Sequence, residues 1–179
     1  FYKSNLLDTR SSLNLKDMNF DTLKLDSKFI NTALSSNDLF GKEIALAWSD
    51  QIIKKAIDTN IIPRTFISQL PNDLNTYHRK QRKKLFISIM LPLLVRGNEL
   101  VISEREKIKW FFKKKEFKKI QYYCKKYRIK KDECVKENNI SLKEKLFIKV
   151  DVLPLSMMLA QAAIESGWGL SRFAQNGNA

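Results

Sequence analysis

Apolar positions along this chain recur mostly at helical spacing, and the longest such pattern lies near its middle. From about Tyr77 onward, Leu85, Phe86, Ile89, Met90, Leu93 and Leu94 come in adjacent pairs every four residues, with Leu91 and Val95 on the flanks. That spacing predicts a buried central helix. Pro92 falls inside it and should kink it, because proline removes one backbone donor and crowds the preceding turn. An earlier helix is predicted from about Lys42 to Asp58, where Ile44, Trp48, Ile52 and Ala56 recur every fourth residue. Pro63 ends that region and Pro71-Asn72-Asp73 marks a second turn. After the central helix comes a lysine-rich one with Phe117, Ile120, Cys124 and Tyr127 on one face, read as core-facing. Past a break at about 132–139, Ser141 to Glu144 has the form of a capping box leading into Leu146, Phe147, Ile148 and Val150. Up to about Leu39 the chain is rich in Ser, Asn and Asp and lacks long periodicity, so a loosely ordered lead-in is expected.

The last apolar run is the one that carries chemistry. Pro154 and Ser156 are credible helix-start residues, Met157 to Ile164 are good helix formers, and Gly167 and Gly169 are natural stops. Glu165 is thereby placed in the last turn of an apolar helix, near the negative end of its dipole. Dipole and apolar neighbours both disfavour a charge there, which is the condition a general acid needs. The plain alternative is an exposed glutamate closing an ordinary core helix.

The composition sets outer limits. With 179 residues and 44% hydrophobic content, the chain suffices for one domain with a proper core. No uninterrupted apolar run approaches the roughly 18 residues of a membrane span. The formal charge of +14 is concentrated: residues 104–131 hold 13 basic and 3 acidic side chains, a local +10. Such a block attracts polyanions without choosing among them, and its plain reading is a solvated helix face. His78 is the one histidine and Cys124 and Cys134 the only cysteines, too few for a structural zinc site. No metal or cofactor is expected. The two cysteines can pair in an oxidising compartment or stay as thiols.

The segment Leu159-Ala-Gln-Ala-Ala-Ile-Glu-Ser-Gly-Trp-Gly-Leu-Ser-Arg-Phe-Ala174, followed by Asn176-Gly-Asn-Ala179, resembles the catalytic core of the bacterial N-acetylglucosaminidases of glycoside hydrolase family 73. Upstream, Ile62 to Pro71 and Arg82 to Glu99 look like the helical leader of its Bax-type branch of bacterial envelope proteins. The resemblance covers roughly Ile62 to Ala179. Together with the periodicity it implies a mainly α protein: after the lead-in at 1–40 that composition suggests, a helical leader at 41–149 and the first helices of a lysozyme-like catalytic domain at 150–179. It also implies a peptidoglycan hydrolase cutting β-1,4 bonds next to N-acetylglucosamine, in the periplasm or cell envelope, with Glu165 as general acid. Gln161, one turn earlier, would orient that carboxyl group. Trp168 and Phe173 would shape the sugar groove, although Trp168 could equally lock the turn against the core. Gly167 and Gly169 would act through backbone conformation, Ser171 as an N-cap, and Arg172 structurally. Family members continue past the Asn-Gly-Asn-Ala position into Leu-Phe-Gly and the part bearing the second catalytic group. The chain is therefore expected to be an incomplete catalytic domain with little activity alone. Peptidoglycan strands are the expected partner, with the basic 104–131 segment holding anionic envelope polymers or a membrane surface. The rival reading is a non-catalytic basic protein that binds the envelope or nucleic acid, against which stands the lack of any nucleic-acid reading motif.

Overall fold

The computed structural model describes residues 15–27, 32–34, 42–135 and 140–177. The described residues are mainly helical, as the periodicity requires. Two compact units divide them: one takes residues up to Leu93 together with Leu155–Ala179, the other Leu94–Pro154. The expected division runs in chain order, whereas the final segment joins the unit built by the first half of the chain.

In the first unit, helix α1 (Lys42–Thr59) is a crossover between parallel strands. Strand β1 (Lys24–Leu25) pairs with β3 (Ile61–Ile62), and β2 (Thr32–Leu34) pairs with β4 (Thr65–Ile67). Parallel strands need such a connection because the chain must return to the same end. The lead-in is thus more structured than expected. Its described part forms ladder bonds from Lys24 N to Asn60 O (3.0 Å) and from Asp26 N to Ile62 O (2.8 Å). It also buries Met18, Leu23 and Leu25. Asp26 is pinned twice more, by Lys55 Nζ at 3.2 Å and by Arg64 Nε on its carbonyl at 2.7 Å. Residues 1–14, 28–31 and 35–41 of the lead-in lie outside the described ones.

The central helix α2 (Arg79–Lys114) is longer than predicted and continues through the fully buried Pro92. Its first half packs Leu85 and Ile89 with Ala45, Ile67, Leu74 and Tyr77, and Leu46, Trp48 and Leu70 lie against that cluster. Between α1 and α2, the buried Ser49 and Ser88 hydroxyls bond each other at 2.8 Å, and Ser88 also donates to Lys84 O at 2.9 Å. Both hydroxyls are therefore satisfied where an orphan would be costly. By length and composition α2 could cross a membrane, with an 18-residue window of mean hydropathy 1.7 that the count of uninterrupted apolar residues passes over. Its apolar residues Leu85, Phe86, Ile89 and Leu91 are nevertheless buried within the protein.

The second unit contains the rest of α2 with α3 (Phe117–Lys126), α4 (Lys131–Val135) and α5 (Ile140–Lys149). Its core gathers Ile108, Ile120, Tyr123, Cys124, Ile129, Leu142, Leu146 and Val150. Cys124 and Cys134 form a disulfide joining α3 to α4, with Cα atoms 6.3 Å apart. Arg105 caps α5 by donating to the carbonyls of Phe147 (2.6 Å) and Val150, and it also meets Asp151 at 3.1 Å. A cation there complements the negative end of the helix. Three expectations change here. Phe117 is exposed rather than core-facing. Helix α4 occupies part of the expected break. Ser141 lies within the first turn of α5, not ahead of it as a capping residue.

Candidate active site

Helix α6 (Leu155–Ser166) begins directly after Pro154 and ends where the glycines demand. Gly167 N donates to Ile164 O (3.3 Å) and Trp168 N to Ala163 O (2.9 Å). These two bonds make the Schellman termination, in which a left-handed residue reverses the chain and returns N–H groups to the last carbonyls. Here three successive residues are left-handed, Gly167 at φ 56°, Trp168 at 59° and Gly169 at 78°. Ser166 braces the bend, its hydroxyl donating to Ala162 O at 2.6 Å and accepting from Gly169 N at 3.0 Å. Helix α7 (Arg172–Gly177) follows, with Ser171 Oγ accepting from Ala174 N at 3.1 Å as its N-cap.

A tryptophan in left-handed conformation costs about 1–2 kcal/mol and persists because its surroundings hold it. The Trp168 ring packs edge-to-face on Phe86 with centroids 5.8 Å apart, and Lys83 Nζ sits 4.4 Å from its centroid. The Phe86 contact is the one a locking role requires, since it fastens the turn to α2. Gly169 is fixed by proximity, since a Cβ there would lie 3.0 Å from Leu74 Cδ1, 3.2 Å from Leu70 Cδ1 and 3.4 Å from Phe86. Lys83, Leu70, Leu74 and Ser166 thus support the site without having been singled out in the sequence. Ser166 is the one that a close reading of Glu-Ser-Gly-Trp-Gly could have found, because a hydroxyl beside a left-handed turn is placed to replace a missing main-chain bond.

Glu165 lies in the last turn of α6, as predicted, and Gln161 Nε2 donates to its Oε1 at 2.7 Å. The expected apolar enclosure is not formed by the described residues. Leu155, Leu159 and Ala163 are the buried residues of α6, a stripe at every fourth position. So narrow a stripe leaves the opposite face, with Met157, Gln161, Ile164 and Glu165, exposed. Ile164 is 75% exposed and Phe173, the other expected sugar contact, 78%. The carboxylate therefore stands open to solvent beside the exposed apolar side chains of Met157 and Ile164.

Fold and site define a mainly α protein whose final helices present an oriented carboxylate on an open helix face. The chain is 31% identical over 120 residues to Protein bax of Escherichia coli (strain K12), a match that takes in 62% of this chain. It spans 41% of the length of that relative. No protein-family model and no solved structure matches it.

Proposed function

We propose that this chain carries the acid-bearing part of a bacterial peptidoglycan hydrolase of the glycoside hydrolase family 73 type, with Glu165 as proton donor to the leaving sugar oxygen. The observation that supports this best is the placement of Glu165: a carboxylate held by Gln161, on an exposed helix face, at the mouth of a braced left-handed turn. Hydrolysis of a glycosidic bond needs such a donor and a second carboxyl group, about 5–5.5 Å away for retention and about 6.5–9.5 Å for inversion. Apolar side chains around the donor suit pyranose rings, whose C–H faces are apolar while their rims are not. Gln161 acts as a positioning residue, fixing the carboxylate through Oε1 and leaving Oε2 for substrate.

The Cys124–Cys134 disulfide supports a location in the periplasm or cell envelope, since such bonds persist in oxidising compartments and are rare elsewhere. The experiment is glycan release from purified insoluble cell wall by the full coding product, compared with Glu165→Gln. A loss of about 10²–10⁴-fold is expected from removing a general acid. Unchanged turnover in the variant would overturn the assignment.

A further inference from the structure

Apart from the hydrolase reading, we infer that the second unit docks on an anionic lipid bilayer through a lysine-framed aromatic patch formed by the end of α2 and by α3. Trp110 on α2 is 48% exposed, and Phe117 and Tyr122 on α3 are 49% and 61% exposed. On a helix the neighbours of a side chain are three and four residues away. For Tyr122 all four of these, Lys118, Lys119, Lys125 and Lys126, are lysines, and for Trp110 three of four are, Lys107, Lys113 and Lys114. The rings also connect. Trp110 meets Phe111 edge-on at 5.3 Å, Phe111 lies 6.1 Å from Tyr123, and Tyr123 meets Tyr122 at 5.3 Å. The exposed Trp110 and Tyr122 rings are thus each seated on an inner ring, Phe111 and the buried Tyr123, which hold them at the surface where α2 and α3 pack together.

The arrangement has the chemistry of a membrane–water interface. Trp, Tyr and Phe rings settle at the headgroup level, and lysine stems extend along them to reach lipid phosphates. Charge complementarity selects an anionic surface, because the 104–131 stretch carries +10. Part of that charge is committed: Lys126 pairs with Glu104, Lys109 lies 3.9 Å from Glu106, and Arg105 is spent on α5. Lys113, Lys114, Lys118 and Lys119, all exposed, remain around the rings. The stretch holds 11 lysines to 2 arginines, point charges that meet the phosphates of a bilayer or of a duplex alike, and it is the exposed Trp110 and Tyr122 rings that favour the bilayer.

The test is sedimentation of the whole chain with vesicles of phosphatidylcholine mixed with phosphatidylglycerol, against vesicles of phosphatidylcholine alone and against duplex DNA. Binding is expected to the mixed vesicles, and it should weaken as ionic strength rises from about 0.01 M to about 0.15 M, where the screening length shortens from about 30 Å to about 8 Å. Trp110 emission should shift to the blue on binding, and the shift should vanish in Trp110→Phe. Replacing Lys113 and Lys114 by Gln should lower the partition coefficient about thirty-fold, as should the Lys118→Gln, Lys119→Gln pair, from the usual contribution of a lysine near an anionic surface. Equal binding to phosphatidylcholine alone, tighter binding to DNA, or insensitivity to both lysine pairs would each overturn the inference. Cleavage of soluble glycan fragments, which need no surface anchor, should be unaltered by these variants, so failure here leaves Glu165 untouched, and the converse holds.

Discussion

Replacing Gly169 by alanine tests whether the turn behind Glu165 is held by contact or merely by backbone preference. At φ 78° an alanine meets the left-handed penalty of about 1–2 kcal/mol. Its Cβ would also stand 3.0 Å from Leu74 Cδ1 and 3.2 Å from Leu70 Cδ1, and Leu74 is fully buried with little room to yield. Forcing a methyl group into a packed core adds about 1–3 kcal/mol, for a total of about 2–5 kcal/mol. Gly167 is the internal control. Its φ of 56° carries the same backbone penalty, yet its Cβ would meet only Ser171 N at 3.8 Å, ordinary contact. Gly167→Ala should therefore cost about 1–2 kcal/mol. Urea unfolding followed by tryptophan emission in a Trp110→Phe background isolates the first unit, because Trp48 and Trp168 both belong to it. The Gly169 variant should have the lower midpoint at unchanged m-value. Equal losses for the two variants, or a Gly169→Ala protein as stable as the parent, would refute the contact argument. It would also remove the reason for thinking that the position of Glu165 is built in.

Two further outcomes concern the second unit. Reducing the Cys124–Cys134 bond, which closes a loop of sequence separation 10, should lower its stability by about 3 kcal/mol, read as an earlier loss of helical ellipticity in urea with dithiothreitol. The pH response centres on Glu104, which accepts hydrogen bonds from Tyr127 Oη and Lys126 Nζ. Burial pushes Tyr127 up, and its bond to Glu104 adds to this, raising it from 10.0 to about 12. The raised value favours the neutral phenol in the folded state, so its contribution is whole below pH 10 and lost as pH climbs toward about 12. Burial alone would raise Glu104, but the bonds from Lys126 and Tyr127 outweigh it and hold the carboxyl below its ordinary 4.5. That contribution is present above pH 4.5 and disappears as pH falls through the depressed value. Tyr127→Phe should flatten the alkaline limb of a stability–pH curve and Glu104→Gln both limbs; curves parallel to the parent's would show that the triad does not control them.

Much of the helical framework was legible because its spacing repeats. The Ile52 and Ala56 repeat lies on the buried side of α1, the Leu85, Phe86 and Ile89 repeat on that of α2, and both helices occur where the pattern places them. The strands were not legible, because two- and three-residue segments leave no periodicity to read. Ile61–Ile62 looks like any apolar pair until Lys24–Leu25 lies beside it. Phe117 was misjudged for a related reason: an aromatic among lysines is read as core-facing unless the partner surface is known.

At the candidate site the division is sharper. Local chemistry in the sequence determined that α6 would stop at Gly167, that Glu165 would sit in its last turn with Gln161 one turn before, and that Ser171 would open the next helix. Each of these follows from residues within a few positions of one another. Only the tertiary structure decided that Trp168 faces Phe86, that Gly169 is wedged against Leu74, and that the Glu165 face of α6 is left open. Those outcomes depend on which side of α6 meets the core, and with Met157 and Ile164 apolar beside Gln161 and Glu165 the helix's own sequence marks that side only weakly.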